Sequence, residues 1–87
     1  MSEEVQPIGQ ITRVFDNISV AVIDLSEPLA IGEWIQVYGE ETNFVQEVAS
    51  MQIEGQDIEQ AQPGDNFGMK MDAPVQTGDW VYRYFEE

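Results

Sequence analysis

Gly64-Asp65-Asn66-Phe67-Gly68-Met69 decides how this chain is read, because its opening occurs three times. Gly32-Glu33-Trp34-Ile35-Gln36-Val37 and Gly78-Asp79-Trp80-Val81-Tyr82-Arg83 repeat the order glycine, acid, apolar run. Glycine supplies the positive φ of a tight turn, an acid suits such a turn, and alternating residues after it start a strand. Two of the copies echo further. Gly32 to Tyr38 and Gly78 to Tyr84 both read glycine, acid, Trp, aliphatic, two residues, Tyr. Such punctuation in so short a chain predicts a small antiparallel β-barrel.

Working outward, Ile8–Phe15 reads as a first strand and Asp16-Asn17 as a two-residue turn. Ile18–Leu25 follows as a second strand, with Asp24 outward and Ala21, Ile23 and Leu25 inward. Ser26-Glu27-Pro28 breaks it. Trp34–Tyr38 is the third strand. Thr42–Ile53 is a long extended stretch bent near Ala49-Ser50, and Glu54-Gly55 turns the chain. Asp57–Ala61 has a helical flavour and allows one turn. Phe67–Met71 is the fifth strand, with Phe67, Met69 and Met71 on one face, and Trp80–Phe85 the last. The fold class is all-β: a six- or seven-stranded antiparallel barrel over residues 8–85, preceded by a flexible tail, residues 1–7.

The 87 residues suit one domain with one modest core and no deep cleft. Without cysteine or histidine, thiolate chemistry, disulfides and the usual general base and nitrogen ligand are excluded. No catalytic or metal-binding residue and no cofactor is indicated. The carboxylate pairs Glu3-Glu4, Glu40-Glu41 and Glu86-Glu87 sit in turns or tails, and Asp57 and Glu59 lack a calcium-loop pattern around them. The acidic start has neither the charge nor the apolar run of a signal peptide, and no apolar run reaches membrane-spanning length. Both observations point to the cytoplasm and away from membranes.

Charge is the second strong signal. Seventeen acids against Arg13, Lys70 and Arg83 give a net charge of −14. Such a surface repels phosphate, which argues against nucleic acid as a partner. Two explanations compete for it: adaptation to a salty cytoplasm, and a specific basic partner.

Strand alternation puts Ile35, Val37 and Val81 inward and Trp34, Tyr38, Trp80, Tyr82 and Tyr84 outward. An apolar patch rimmed by acids is what a protein-binding surface looks like, so these five residues are the candidate interface. Two features oppose this: a loop or tail could cover the rings, and Arg83 shares the face assigned to Val81.

The order of motifs resembles domain two of the translational GTPases, the barrel that follows the nucleotide domain in elongation factor Tu. Ile8-Gly9-Gln10-Ile11, Leu29-Ala30-Ile31-Gly32-Glu33, Val48-Ala49-Ser50-Met51 and Ala61-Gln62-Pro63-Gly64-Asp65-Asn66-Phe67-Gly68 carry the likeness, with Gly78-Asp79 completing it. The chain is more similar still to the version of this barrel at the C-terminus of collagenase-like peptidases. Phe44–Glu54 and Gly78–Arg83 have close counterparts there. The resemblance implies a non-catalytic interaction module with a protein partner, associated with translation or with a peptidase-like partner. No P-loop or peptidase domain accompanies it. It also implies Asn66 as a ligand contact, since the matching turn lies near the aminoacyl end of tRNA in elongation factor Tu. An RNA- or tRNA-end-binding accessory protein is thus the alternative function, against which the scarcity of Lys and Arg weighs.

Overall fold

Each glycine–acid repeat builds the same turn. Gly32, Gly64 and Gly78 have φ of 96°, 93° and 98°, as the third position of a type II turn requires. The acid that follows closes the turn twice. Its backbone N–H donates to the carbonyl three residues earlier, Glu33 to Ala30 at 3.2 Å, Asp65 to Gln62 at 3.0 Å and Asp79 to Gln76 at 3.0 Å. Its carboxylate accepts the N–H of that same residue, at 2.9 Å in all three turns. The acid is therefore the clasp of the turn, and the next residue enters a strand with its direction already set.

The computed structural model describes residues 6–85. The strands are β1 (Gly9–Phe15), β2 (Val20–Leu25), β3 (Leu29–Ala30), β4 (Trp34–Tyr38), β5 (Asn43–Glu47), β6 (Met51–Ile53), β7 (Gln56–Asp57), β8 (Gln60–Ala61), β9 (Asn66–Lys70) and β10 (Trp80–Tyr84). Eight form one antiparallel sheet in the order β5-β4-β10-β1-β2-β9-β6-β7, while β3 pairs with β8. The backbone ladder does not close on itself. The chain carries the circuit instead, because β5 and β6 are halves of one extended stretch that turns at Val48-Ala49-Ser50. β5 lies at one end of the sheet beside β4, and β6 lies near the other end beside β9.

The gap between β5 and β9 is bridged by a buried glutamine. Gln46 Nε2 donates to the Lys70 carbonyl at 3.0 Å, and its Oε1 accepts the Asp72 N–H at 2.8 Å. The amide thus replaces the ladder bonds that a closed barrel would have there. Inside the circuit lie Ile8, Ile11, Ala21, Ile23, Leu25, Leu29, Ile35, Val37, Val48, Met51, Ala61, Phe67, Met69, Met71, Val75 and Val81. Alternation therefore reads correctly in β2, β4, β9 and β10, and Asp24 is exposed.

Two local expectations are corrected. The second strand begins at Val20 rather than Ile18, because residues Asp16–Ile18 form a single 3-10 turn ended by Ser19 at φ 57°. Asp16-Asn17 lacks the glycine that favours the paired positive φ of a two-residue hairpin, and the left-handed residue is Ser19 instead, so the link is longer. Asp57–Ala61 is not a helical turn; it contains the end of β7 and all of β8. Glu54 and Gly55, at φ 52° and 80°, make a two-residue hairpin that sets Gln56 against Ile53 and Asp57 against Gln52. The N–H of Ile58 then bonds the Met51 carbonyl, and Ala61 pairs with Leu29. Five residues carry too little helical periodicity to resist that pairing. The expected tail lies outside the described residues as far as residue 5; Gln6 and Pro7 precede β1 without regular structure.

Candidate functional site

The two echoing segments are partners in the sheet. β4 and β10 pair antiparallel, with Trp80 opposite Tyr38, Tyr82 opposite Gln36 and Tyr84 opposite Trp34. Antiparallel pairing of two similar sequences puts the Trp of each strand beside the Tyr of the other. The aromatic positions therefore fall into two cross-strand pairs on one outward face, at opposite ends of the ladder. Trp34, Tyr38, Trp80 and Tyr84 are 37%, 50%, 42% and 37% exposed, and Tyr82 between them is half-buried. The intervening positions Ile35, Val37 and Val81 are 0% exposed. All five aromatic residues singled out from the sequence thus share one surface, four of them exposed.

β5 extends this face. Asn43 lies beside Tyr38, Val45 beside Gln36 and Glu47 beside Trp34. On the other side, β1 pairs Gln10 with Trp80, β2 pairs Asp24 with Gln10, and β9 pairs Asn66 with Asp24. One lateral row therefore runs Asn66, Asp24, Gln10, Trp80, Tyr38, Asn43. Neighbouring strands are ~4.8 Å apart, so Asn66 is three strands from Trp80. It is exposed at the start of β9, an outward surface residue on the same row as the aromatic pair.

Two depressions flank the aromatic pairs. One, of about 480 Å³, is lined by Tyr38, Gly39, Glu40, Gln76 to Asp79 and Trp80. The other, of about 280 Å³, is lined by Glu33, Trp34, Arg83, Tyr84 and Phe85. Both are open. The outward positions of β4, β5 and β10 are Trp34, Gln36, Tyr38, Asn43, Val45, Glu47, Trp80, Tyr82 and Tyr84, none of them basic; Arg83 reaches the second depression from the inward parity.

Arg83 does share the parity of Val81, and the two sit together without conflict. Arg83 lies opposite Ile35 near the end of the ladder, where its guanidinium reaches out of the core. Its Nη1 contacts Glu33 Oε2 at 2.8 Å, and Nη2 lies 3.6 Å from Glu27 Oε1 and donates to the Pro28 carbonyl at 2.7 Å. Asp79 occupies the same parity at the other end, buried against Gly39. Charged ends therefore bracket an apolar middle. Of the other two basic residues, Arg13 on β1 stacks over the Phe15 ring at 5.7 Å, and Lys70 ends β9. The three do not cluster.

Glu40 and Glu41 are exposed in the hairpin between β4 and β5. Asp57 accepts a bond from Gln52 Nε2 at 2.9 Å. Among the described residues no three acids converge as a metal centre would need, and no helix is long and apolar enough to cross a membrane. Glu3-Glu4 and Glu86-Glu87 lie outside the described residues. Sequence reasoning missed Gln46 and the buried carboxylate of Asp79. A lone Gln in a strand gives no signal, whereas the inward phase of Asp79 was available from that of Val81.

The acidic surface has a measurable consequence. With a net charge of −14, screening relieves self-repulsion as the Debye length falls from ~10 Å at about 0.1 M salt to ~3 Å at about 1 M. The melting temperature is expected to rise with sodium chloride across that range. A flat or falling curve would show that repulsion is not a main destabilising force.

No protein-family model matches the chain. It is 41% identical over 76 residues to a Methanocaldococcus jannaschii protein named as an uncharacterised protease. That match takes in 86% of this chain but only 19% of the relative's length. Among solved structures, the chain superposes on the C-terminal domain of a Geobacillus thermoleovorans protein assigned as a U32 peptidase. The TM-score is 0.87 at 17% identity, over 97% of this chain and 100% of that domain. The selenomethionine variant of the same domain gives 0.84 at 17% identity, over 90% and 99%. Likeness at that identity shows a shared fold: the chain has the barrel-like architecture of a peptidase C-terminal domain.

Proposed function

We propose that this chain is a non-catalytic β-barrel interaction module that docks a protein partner on the outer face of β4 and β10. The observation that carries the reading is the register of those strands, which sets Trp34 against Tyr84 and Trp80 against Tyr38 in the open. Exposed aromatic rings in paired rows are enriched at protein interfaces, where they supply large apolar contact at low entropic cost. The architecture adds support, since the same fold stands at the C-terminus of a protein assigned as a U32 peptidase. A module of this kind would dock against a larger enzyme or guide it. The domain-two likeness to elongation factor Tu suggests a link to translation, to which the relatives named lend nothing further. The scattered basic residues argue against an RNA contact at Asn66.

The test is affinity capture from the source cell with wild-type protein, a Trp80→Ala, Tyr38→Ala double variant and a Gln52→Ala control on β6. A protein captured by wild type and control but lost with the double variant is the expected result. Equal capture by all three refutes the assigned face. Saturable binding of tRNA, read by fluorescence anisotropy at physiological salt, would favour an RNA-binding accessory protein instead.

A further inference from the structure

The charge around the aromatic face says what kind of segment fits it. The Trp80–Tyr38 pair is flanked on one side by Asp24, two strands from Trp80 along the lateral row. On the other side lies Glu40, which lines the depression of about 480 Å³ next to both rings. The Trp34–Tyr84 pair has Glu47 beside Trp34. Nothing basic stands among these outward positions, because the inward parity of Arg83 takes its guanidinium to Glu33 and Glu27. The Trp80–Tyr38 pair is thus an electron-rich platform beside carboxylates with no basic residue lining its depression, whereas Arg83, paired with Glu33 and Glu27, lines the depression at Trp34–Tyr84.

From this arrangement we infer that the occupant of the face is a basic protein segment, with a Lys or Arg side chain seated on the Trp80–Tyr38 pair. The inference rests on the docking function proposed above and adds the chemistry of the partner. A cation over an indole or phenol ring is attracted by the ring quadrupole. The neighbouring carboxylates, Asp24 and Glu40, take its remaining hydrogen-bond donors. The overall charge of −14 steers such a segment in and turns acidic ones away. An acidic or neutral apolar partner would leave those carboxylates facing like charge or desolvated without a partner.

The probe is a labelled peptide of about a dozen residues alternating Arg and Ala, set against the same peptide with Glu for Arg, at about 0.15 M salt. Binding is read from quenching of the two tryptophans. Saturable binding of the Arg peptide alone is expected. It should weaken about fivefold with Tyr38→Ala and with the Asp24→Asn, Glu40→Gln pair, and hardly change with Glu54→Gln, Glu59→Gln on the β6–β8 side. No binding of the Arg peptide, or equal weakening by the distant pair, overturns the inference, the latter by showing diffuse attraction alone. A partner captured through Trp80 that contacts the face with an acidic or uncharged segment would overturn the basic occupant and leave the docking function standing.

Discussion

Ile35→Ala and Val81→Ala are each expected to cost about 2–4 kcal/mol, measured as the shift in urea midpoint at unchanged slope. Both side chains are fully buried on adjacent strands, and neither site can collapse without dragging the β4–β10 ladder. Loss of methyl groups there leaves a cavity, whose cost adds to the lost transfer energy. Trp34→Ala and Trp80→Ala remove far more atoms and should still cost less, because their rings already meet water in the free protein. The inversion of size and effect is the diagnostic. Tryptophan variants more destabilised than the aliphatic ones would mean that the rings pack as core.

A second large effect is expected where the sequence gives little warning. Gly39→Ala places a Cβ on the Asp79 carboxylate: an ideal Cβ there falls 1.9 Å from Oδ1 and 2.7 Å from Cγ. Asp79 is buried and its other oxygen holds the Gln76 N–H at 2.9 Å. It cannot swing aside without releasing the clasp of its own turn. Overpacking plus a lost buried hydrogen bond is expected to cost about 2–4 kcal/mol. The double variant Gly39→Ala, Asp79→Ala separates the causes. Removing the carboxylate relieves the clash, so the pair should be more stable than the sum of the single variants predicts. Simple additivity would show that Gly39 is needed for another reason.

How much of this was legible follows from where the physics is local. The three glycine–acid turns are local: positive φ and a carboxylate that reaches three residues back are set by adjacent residues, so strands after Gly32, Gly64 and Gly78 could be placed from sequence. Strand parity is local too. One buried aliphatic in β4 or β10 fixes the rest, and the five aromatic positions of the face followed from it. Pairing is not local. Nothing in the echo between Gly32–Tyr38 and Gly78–Tyr84 says that the two segments are neighbours, yet that adjacency turns five outward rings into one surface. The Gln46 bridge and the Asp79–Gly39 contact also join residues distant in sequence. The helical expectation at Asp57–Ala61 failed because the Glu54-Gly55 hairpin and the β3 partner decide that segment from outside it.

The most direct test of the docking face uses the protein's own fluorescence. Both tryptophans, Trp34 and Trp80, lie on the face, so the emission reports on that surface alone. In the free protein both should be quenched readily by acrylamide. In the purified complex with the captured partner, with that partner's own tryptophans replaced by Phe, emission should shift to the blue and quenching should fall sharply. An unchanged spectrum and unchanged quenching in a stoichiometric complex would contradict the account, because the partner would then be bound somewhere other than β4 and β10.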